Sequence, residues 1–312
     1  MKDAFNETGK LPQNVLVPTV RDKDGSGWDI FSLLLKQRIV LVQGQVETAM
    51  ASTIIASLKF LESQGKEPIT MLVNSPGGSV VDGLAIVDIM REIKCPVHTV
   101  GNGMQASMGS IILAAGDERR MTKNSMVLVH QIMGGASSGT QHSDFEISAA
   151  FMAQQHEALK SVYVEFTGLN HKFWDIVGER DTWLTADQAK KIGYVHSIVK
   201  NEKPGGPYAA EATRPVDEDS LQGAQHKATQ AHIDKMTAEE IARAINSGAA
   251  EGGVYSRLRG ELVVRLAEFP EFWTEKRKQE HALKAAAPAA ANDDAKKPAA
   301  AKATVSAPAP KM

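Results

Sequence analysis

Between Arg38 and Gln131 short apolar runs alternate with amphipathic segments, and this alternation confines the chain to a small set of folds. RIVLVQGQV (38–46), ITMLVNS (69–75), PVHTVGNG (96–103) and SMVLVHQ (125–131) have the length and β-branched content of strands. TAMASTIIASLKFLESQG (48–65), GLAIVDIMREIK (83–94) and SMGSIILAAG (107–116) space their apolar residues as helices do. Strands followed in turn by helices predict an α/β fold with a mainly parallel sheet flanked by helices. A long helix is expected over about 143–166, capped by Ser143, with Asp144 and Glu146 at its positive end. Thr185 opens a second capped segment, TADQAKKIG, closed by Gly193, and YVHSIV (194–199) supplies the last strand.

Outside this body the composition changes. Residues 1–25 carry Gly, Pro, Asn and Asp and read as a flexible N-terminal arm, so the folded domain is placed at 26–200. Residues 201–284 read as a linker with short helices. Thr237 and Glu240 form a capping box opening one helix over 237–247, and a second is expected from Val254 to Phe269, where Pro270 interrupts it. The Ala/Pro/Lys composition of 285–312 cannot offset its ordering entropy and is expected to be disordered.

A formal net charge of −2 over 312 residues leaves no basic excess for nucleic acid or an anionic membrane surface, so proteins or small molecules are the expected partners. The single cysteine, Cys95, excludes an internal disulfide framework and a thiolate metal cluster and suits a reducing compartment. No apolar run reaches the ~20 residues of a membrane span, and the polar N-terminus lacks a signal peptide's apolar stretch. These features predict a soluble, cytoplasmic protein. There is neither a P-loop nor a GxGxxG, so no cofactor or metal is expected on this chain, and any ATP must be bound by another.

Three segments place reactive or special residues at carboxyl ends of predicted strands, where α/β proteins gather ligands. In NSPGGSV (74–80), Gly77 and Gly78 allow backbone approach that a side chain forbids, although the same residues make ordinary turns. In GNGMQASMGS (101–110), Ser107 begins a helix, and the Met108 N–H could hold an oxyanion; a serine there is also a common N-cap. His130 ends an apolar strand, and Asp181 lies in GERDTWLTA. Singly these read as a half-buried histidine and a solvated charge. Together Ser107, His130 and Asp181 supply a nucleophile, a base and the carboxylate that orients the base, with Gly78 and Met108 as the N–H pair for a tetrahedral intermediate.

LVPTV (16–20), DIFSLLLKQRIVLVQGQV (29–46), NSPGGSVVDGLAIVDIM (74–90), GMQASMGSIILAAG (103–116), VHQIMGG (129–135) and TWLTADQAKKIGYVHSIV (182–199) are collinear. Over about residues 15–200 they resemble the proteolytic subunit of the Clp ATP-dependent protease. The resemblance implies a crotonase-like fold of repeated ββα units with a projecting handle helix at 143–166. It implies two stacked heptameric rings, a tetradecamer, enclosing a chamber in which unfolded polypeptides are cut. It places the family's nucleophile on Ser107, its histidine on His130, its aspartate on Asp181 and its oxyanion donors on Gly78 and Met108. The substrate strand falls on Gly134 and Gly135, and loss of a propeptide on residues 1–14. The implied partner is a hexameric Clp-type ATPase, which uses the ATP, or a paralogous subunit. The family's aromatic docking positions fall on Thr70, Leu72, Glu92 and Arg120, of which only Leu72 is apolar. Further departures are Ile132 where the family commonly has proline, a longer segment between Gly135 and Asp144, and the region after Lys200, which has no counterpart in common members.

Three other readings share the fold. A virus-type capsid-maturation peptidase would need no unfoldase, and a catalytically idle ring subunit would not need the intact Ser107, His130 and Asp181. A crotonase-type acyl-CoA enzyme would use an oxyanion hole without that set.

Overall fold

The computed structural model describes residues 17–21, 25, 27–135, 139–200, 221–246 and 255–286. The expectations for most of the N-terminal arm, for 201–220 and for nearly all of the Ala/Pro/Lys tail lie outside these residues. The chain opens with β1 (Thr19–Arg21), paired antiparallel with β2 (Gly27–Asp29), so part of the segment read as an arm is held in a small ladder. Asp29 then caps α1 (Ile30–Lys36), its carboxylate accepting the Ser32 N–H at 3.0 Å.

The repeating body follows as β3 (Ile39–Val46), α2 (Thr48–Gln64), β4 (Ile69–Gly78), α3 (Val80–Glu92), β5 (Val97–Ala106), α4 (Met108–Ala114), β6 (Glu118–Met121) and β7 (Met126–Val129). Next come the long α5 (His142–Thr167), α6 (His171–Gly178), β8 (Thr182–Thr185), α7 (Ala186–Lys191) and β9 (Ser197–Ile198). The sheet runs β3-β4-β5-β6-β9 in parallel, β7 joins β5, and β8 pairs antiparallel with β7. This is the α/β architecture that the sequence predicted. Alternation on β4 buries Ile69, Met71 and Val73 against Ile54, Leu58, Ile86 and Ile111 of the helices, each at 2% exposure or less. The hydrophobic effect supplies about 1.5–3 kcal/mol for each such side chain.

Several boundaries differ from the sequence reading. Helix α5 begins at His142 behind Gln141, which makes no side-chain cap bond, so Ser143 is inside the helix. The last strand is Ser197–Ile198 alone, because Tyr194 and Val195 turn back to bond the Ala189 carbonyl at the end of α7. Strand β6, with sequence ERRM, was not expected. Its Arg119 is buried and donates to the carbonyls of Tyr194, Gly116, Phe166 and Gly193, so a charge that reads as loop is satisfied by backbone.

The C-terminal part adds α8 (Leu221–Ile233), α9 (Ala238–Asn246), α10 (Tyr255–Leu266), a 3₁₀ turn at Pro270–Phe272 and α11 (Glu275–Ala286). The capping box is formed: the Glu240 carboxylate accepts the Thr237 N–H at 2.8 Å, and Thr237 Oγ1 accepts the Glu240 N–H at 3.3 Å. Ile241, Ile245, Leu262, Val263, Leu266 and Phe272 are buried in the same core as the body, and Phe272 meets Phe173 edge-on at 6.2 Å. Truncation after Lys200 is therefore expected to uncover a continuous apolar face and to lower the thermal midpoint by ~10 °C or more, or to abolish soluble assembly. Calorimetry of the truncated and full chains checks this; equal midpoints would show that the extension is a passenger. None of the described helices is long and apolar enough to cross a membrane.

Candidate active site

Strand β5 changes partner along its length. His98–Gly101 pair with β6, whereas Met104–Ala106 pair with β7. The changeover sits at Gly103, whose φ of +83° favours glycine and where a Cβ would lie 2.8 Å from Asn74 Oδ1. Asn74 Oδ1 accepts the Met104 N–H at 3.1 Å and Ser125 Oγ accepts the Gly103 N–H at 3.0 Å, which pins the bend. The second half of β5 thus ends beside β7, and the next residue is Ser107.

Ser107 donates its N–H to the Leu128 carbonyl at 3.1 Å and turns directly into α4 with φ 52° and ψ −122°. Arg38 and Ser107 are the non-glycine residues at positive φ among those described. Such a conformation costs about 1–3 kcal/mol and is kept only where surrounding structure enforces it. The enforcing contacts are visible. Ser110 Oγ donates to the Ser107 carbonyl at 2.6 Å and lies 2.6 Å from Tyr163 Oη on α5, while Tyr194 Oη donates to the Ser110 carbonyl at 2.5 Å. Because Ser110 has given its proton to Ser107, Tyr163 is the donor between them. Burial pushes both phenols well above their ordinary pKa, so they remain proton donors.

The other two candidates come from the β7–β8 ladder, whose last pair is Val129 with Thr182. One step past it stand His130 and Asp181. The ends of β5 and β7 and the start of β8 therefore bring Ser107, His130 and Asp181 together on neighbouring strands. Ser107, Met108, Gly78 and His130 line one cavity of about 280 Å³, closed on its apolar side by Ile111, Leu159, Tyr163 and Trp174. Asp181 is exposed and does not line this cavity, and no hydrogen bond joins the three side chains among the described residues. Such bonds are commonly long or unmade in proteins without substrate and tighten on binding.

Gly78 has φ +147°, and a Cβ there would lie 2.2 Å from the Val46 carbonyl oxygen. Met108 opens α4, where the helix provides no carbonyl for its N–H. Gly134 and Gly135 lie in the largely exposed stretch 131–135, which belongs to no strand among the described residues.

The close approach expected at Gly77 is made to the turn at Ser107, where a Cβ on Gly77 would sit 2.6 Å from Ser107 Cβ and 2.8 Å from Met108 N. Two features escaped the sequence reading. The Ser110, Tyr163 and Tyr194 network had no local signal, because its members are far apart in the chain. The cavity also holds His156 and Lys160. Burial, then the nearby Lys160 ammonium, holds His156 below the ordinary imidazole value. Burial pulls Lys160 down, but its bonds to Asp175 (2.5 Å) and Glu157 (2.6 Å) outweigh this and leave it above the ordinary lysine value.

Comparison with known proteins identifies the family. The family model described as Clp protease matches residues 22–202. The chain is 40% identical over 192 residues to the ATP-dependent Clp protease proteolytic subunit of Streptococcus agalactiae serotype V, covering 60% of this chain and 98% of that protein. The proteins of the same description from Streptococcus sanguinis and Streptococcus pneumoniae are 41% and 38% identical over the same shares. With the matched region holding the whole β3–β9 sheet and every residue of the cavity, the chain belongs to the Clp protease family of serine-type peptidases.

Proposed function

We propose that this peptidase, as the proteolytic subunit of an ATP-dependent Clp protease, uses Ser107 as nucleophile, His130 as base and Asp181 as the carboxylate that orients the imidazole. The observation that carries the assignment is the strained strand-to-helix turn at Ser107, lining one cavity with His130, with Asp181 one step past the same ladder. In the reaction, Ser107 Oγ attacks the scissile carbonyl carbon as its proton passes to His130. The carbonyl electrons move onto oxygen, where the Gly78 and Met108 N–H groups receive them. His130 then returns the proton to the departing amine, and water repeats the sequence to release the acid and restore Ser107. Each donor contributes about 3–4 kcal/mol to the transition state. The unpaired stretch 131–135, with Gly134 and Gly135, accepts an extended polypeptide as an added strand. No cofactor takes part on this chain.

The test is a serine-directed phosphonylating probe applied to the purified protein, with peptide mapping and a fluorogenic peptide assay. A single label on Ser107 with parallel loss of activity is expected. Labelling elsewhere would overturn the assignment.

Self-association into rings is supported by the exposed Phe145, Ile147 and Phe151 on α5, each more than half exposed in the single chain. The ATP would be used by a separate ATPase, and the work would be done in the cytoplasm, where the free Cys95 is compatible with reducing conditions.

We infer that docking of that ATPase differs from the family's pattern, whose aromatic docking positions fall by resemblance on Thr70, Leu72, Glu92 and Arg120. The ladder register aligns Thr70, His98 and Glu118 in one row and Leu72, Val100 and Arg120 in the next, on one half-open sheet face. Glu92 is exposed and paired with Lys59 at 2.8 Å, and Arg120 faces Glu118 at 3.7 Å, so the two charges do not neutralise each other. An apolar loop seated there would forfeit about 25 cal/mol per Å² of burial and would desolvate these pairs. Repetition around a ring multiplies the loss. Rings of this chain alone are expected to support ATP-dependent degradation of a tagged folded protein by a standard unfoldase at less than about a tenth of the ordinary rate. They would instead take a partner with matching polar loops, share a ring with a paralogue, or work without an unfoldase. Degradation at ordinary efficiency would overturn this.

A further inference from the structure

Among the described C-terminal helices, α10 packs along β8, which begins one residue after Asp181. Its Arg259 is 4% exposed, and its Nε donates to Thr182 Oγ1 at 2.7 Å. The same guanidinium donates through Nη2 to the Arg180 carbonyl at 3.4 Å and through Nη1 to the Ile245 carbonyl at the end of α9. Thr182 Oγ1 in turn donates to the Val177 carbonyl at 2.7 Å, which ties the start of β8 to the end of α6. Arg180 and Thr182 are the two neighbours of Asp181. One rigid, planar group therefore holds the chain on both sides of the residue assigned as the triad carboxylate.

The depth of Arg259 is set by the next residue. A Cβ on Gly260 would lie 2.4 Å from Gln188 Oε1, so α10 seats against the first turn of α7, where Gln188 completes the Thr185 capping box. Leu262, Val263 and Leu266 on the same helix are buried in the common core. Arginine suits this place because its fork presents several donors in fixed geometry, whereas lysine offers a flexible point charge.

We propose that Arg259 is a positioning residue for catalysis: it fixes Arg180–Asp181–Thr182 so that Asp181 can orient His130, and the C-terminal extension is thereby a working part of the peptidase. The proposal rests on the triad assignment above. The other described side-chain contacts of this segment are those of Thr182 Oγ1 with the Val177 carbonyl at 2.7 Å and the Arg180 carbonyl at 3.1 Å, and Arg259 Nε donates to that same hydroxyl, so the guanidinium fixes the group that fixes the turn. Misplacement of a catalytic group by about 1 Å can cost 10²-fold in rate.

The test is a double-mutant cycle on the full-length assembly, with size and thermal midpoint recorded for each protein. Arg259→Met is expected to lower kcat for a fluorogenic peptide by about 10- to 100-fold with KM within about twofold, and Arg259→Lys to recover part of the loss. In the Asp181→Asn background, Arg259→Met should cost less than about twofold, because the group through which it acts is already disabled. Arg277→Met removes bonds to the Thr167 and Ile192 carbonyls away from Asp181; it should lower the midpoint and leave kcat unchanged. If Arg259→Met does not assemble, Arg259→Lys carries the same cycle. Wild-type kcat in an assembled Arg259 variant, or an equal loss in both backgrounds, overturns the proposal and leaves the triad standing. Full activity of Asp181→Asn overturns the triad assignment and the proposal with it.

Discussion

Ser107→Ala is expected to lower kcat for peptide hydrolysis by about a millionfold while leaving size and thermal midpoint unchanged. Removing the nucleophile of a triad costs nearly as much as removing the whole triad, because base and carboxylate have nothing left to activate. The fold should not notice. The bonds that hold the turn, Ser107 N–H to Leu128 and Ser110 Oγ to the Ser107 carbonyl, are made by backbone atoms of residue 107, and alanine meets the same φ of 52° at the same cost as serine. Neighbouring serines cannot substitute. Ser75 is fully buried with Oγ bonded to the Gly44 carbonyl at 2.6 Å, and the Ser110 hydroxyl is occupied on both sides. Steady-state kinetics, probe labelling and sizing of the variant check the three parts of this expectation. Retained activity with a label on another serine would sink the nucleophile assignment.

What was legible in the sequence was whatever is written locally. Apolar runs of strand length between helical patterns specified the α/β sheet, and the Thr185 and Thr237 caps specified two helix starts, because those signals depend on residues within one turn of each other. Ser107, His130 and Asp181 are far apart in the chain, and the ladder register supplies the reason they stand at neighbouring strand ends: Ala106 pairs with Leu128, and Val129 with Thr182. What was not legible depended on distant partners. ERRM looks like a charged loop until four carbonyls satisfy Arg119. Ser110 looks like any helix serine until Tyr163 arrives from α5. Arg259 looks like a solvated charge on a short helix until Thr182 and Arg180 receive it.

The region after Lys200 shows the same division. Its capping box and the apolar spacing of Ile241 and Ile245 announced a helix, and the structure forms it at Ala238–Asn246. Nothing local said what that helix rests on. The answer lies in α6, against which it packs, and in α10, which in turn packs on β8. An extension without counterpart in common family members is thus built into the core rather than hung from it.

Gly77→Ala is expected to lower kcat by at least about 10²-fold with KM little changed. Two costs combine. The backbone at Gly77 has φ +93°, a region that residues with a Cβ rarely adopt, which alone costs on the order of 1–3 kcal/mol. The new Cβ would also stand 2.6 Å from Ser107 Cβ, 2.8 Å from the Ala106 carbonyl oxygen and 2.8 Å from Met108 N. These atoms belong to the backbone and root of the nucleophile turn and cannot swing aside, so either the Ser75–Gly78 turn or the turn at Ser107 must move. The first is anchored by Ser75 Oγ, which accepts the Gly77 N–H at 3.1 Å, and the second by Leu128 and Ser110. Whichever yields, the Gly78 and Met108 N–H groups lose their relation to Ser107, and loss of one oxyanion donor is worth about 10²–10³ in kcat. Gly83→Ala separates this from simple crowding. There the Cβ meets Met108 Cγ at 2.2 Å and Sδ at 2.6 Å, atoms of a flexible side chain that can rotate away. Gly83→Ala should therefore lower the midpoint with a kcat loss well below that of Gly77→Ala. Equal kcat losses in the two variants, each normalised to folded and assembled protein, would show that Gly77 serves only packing.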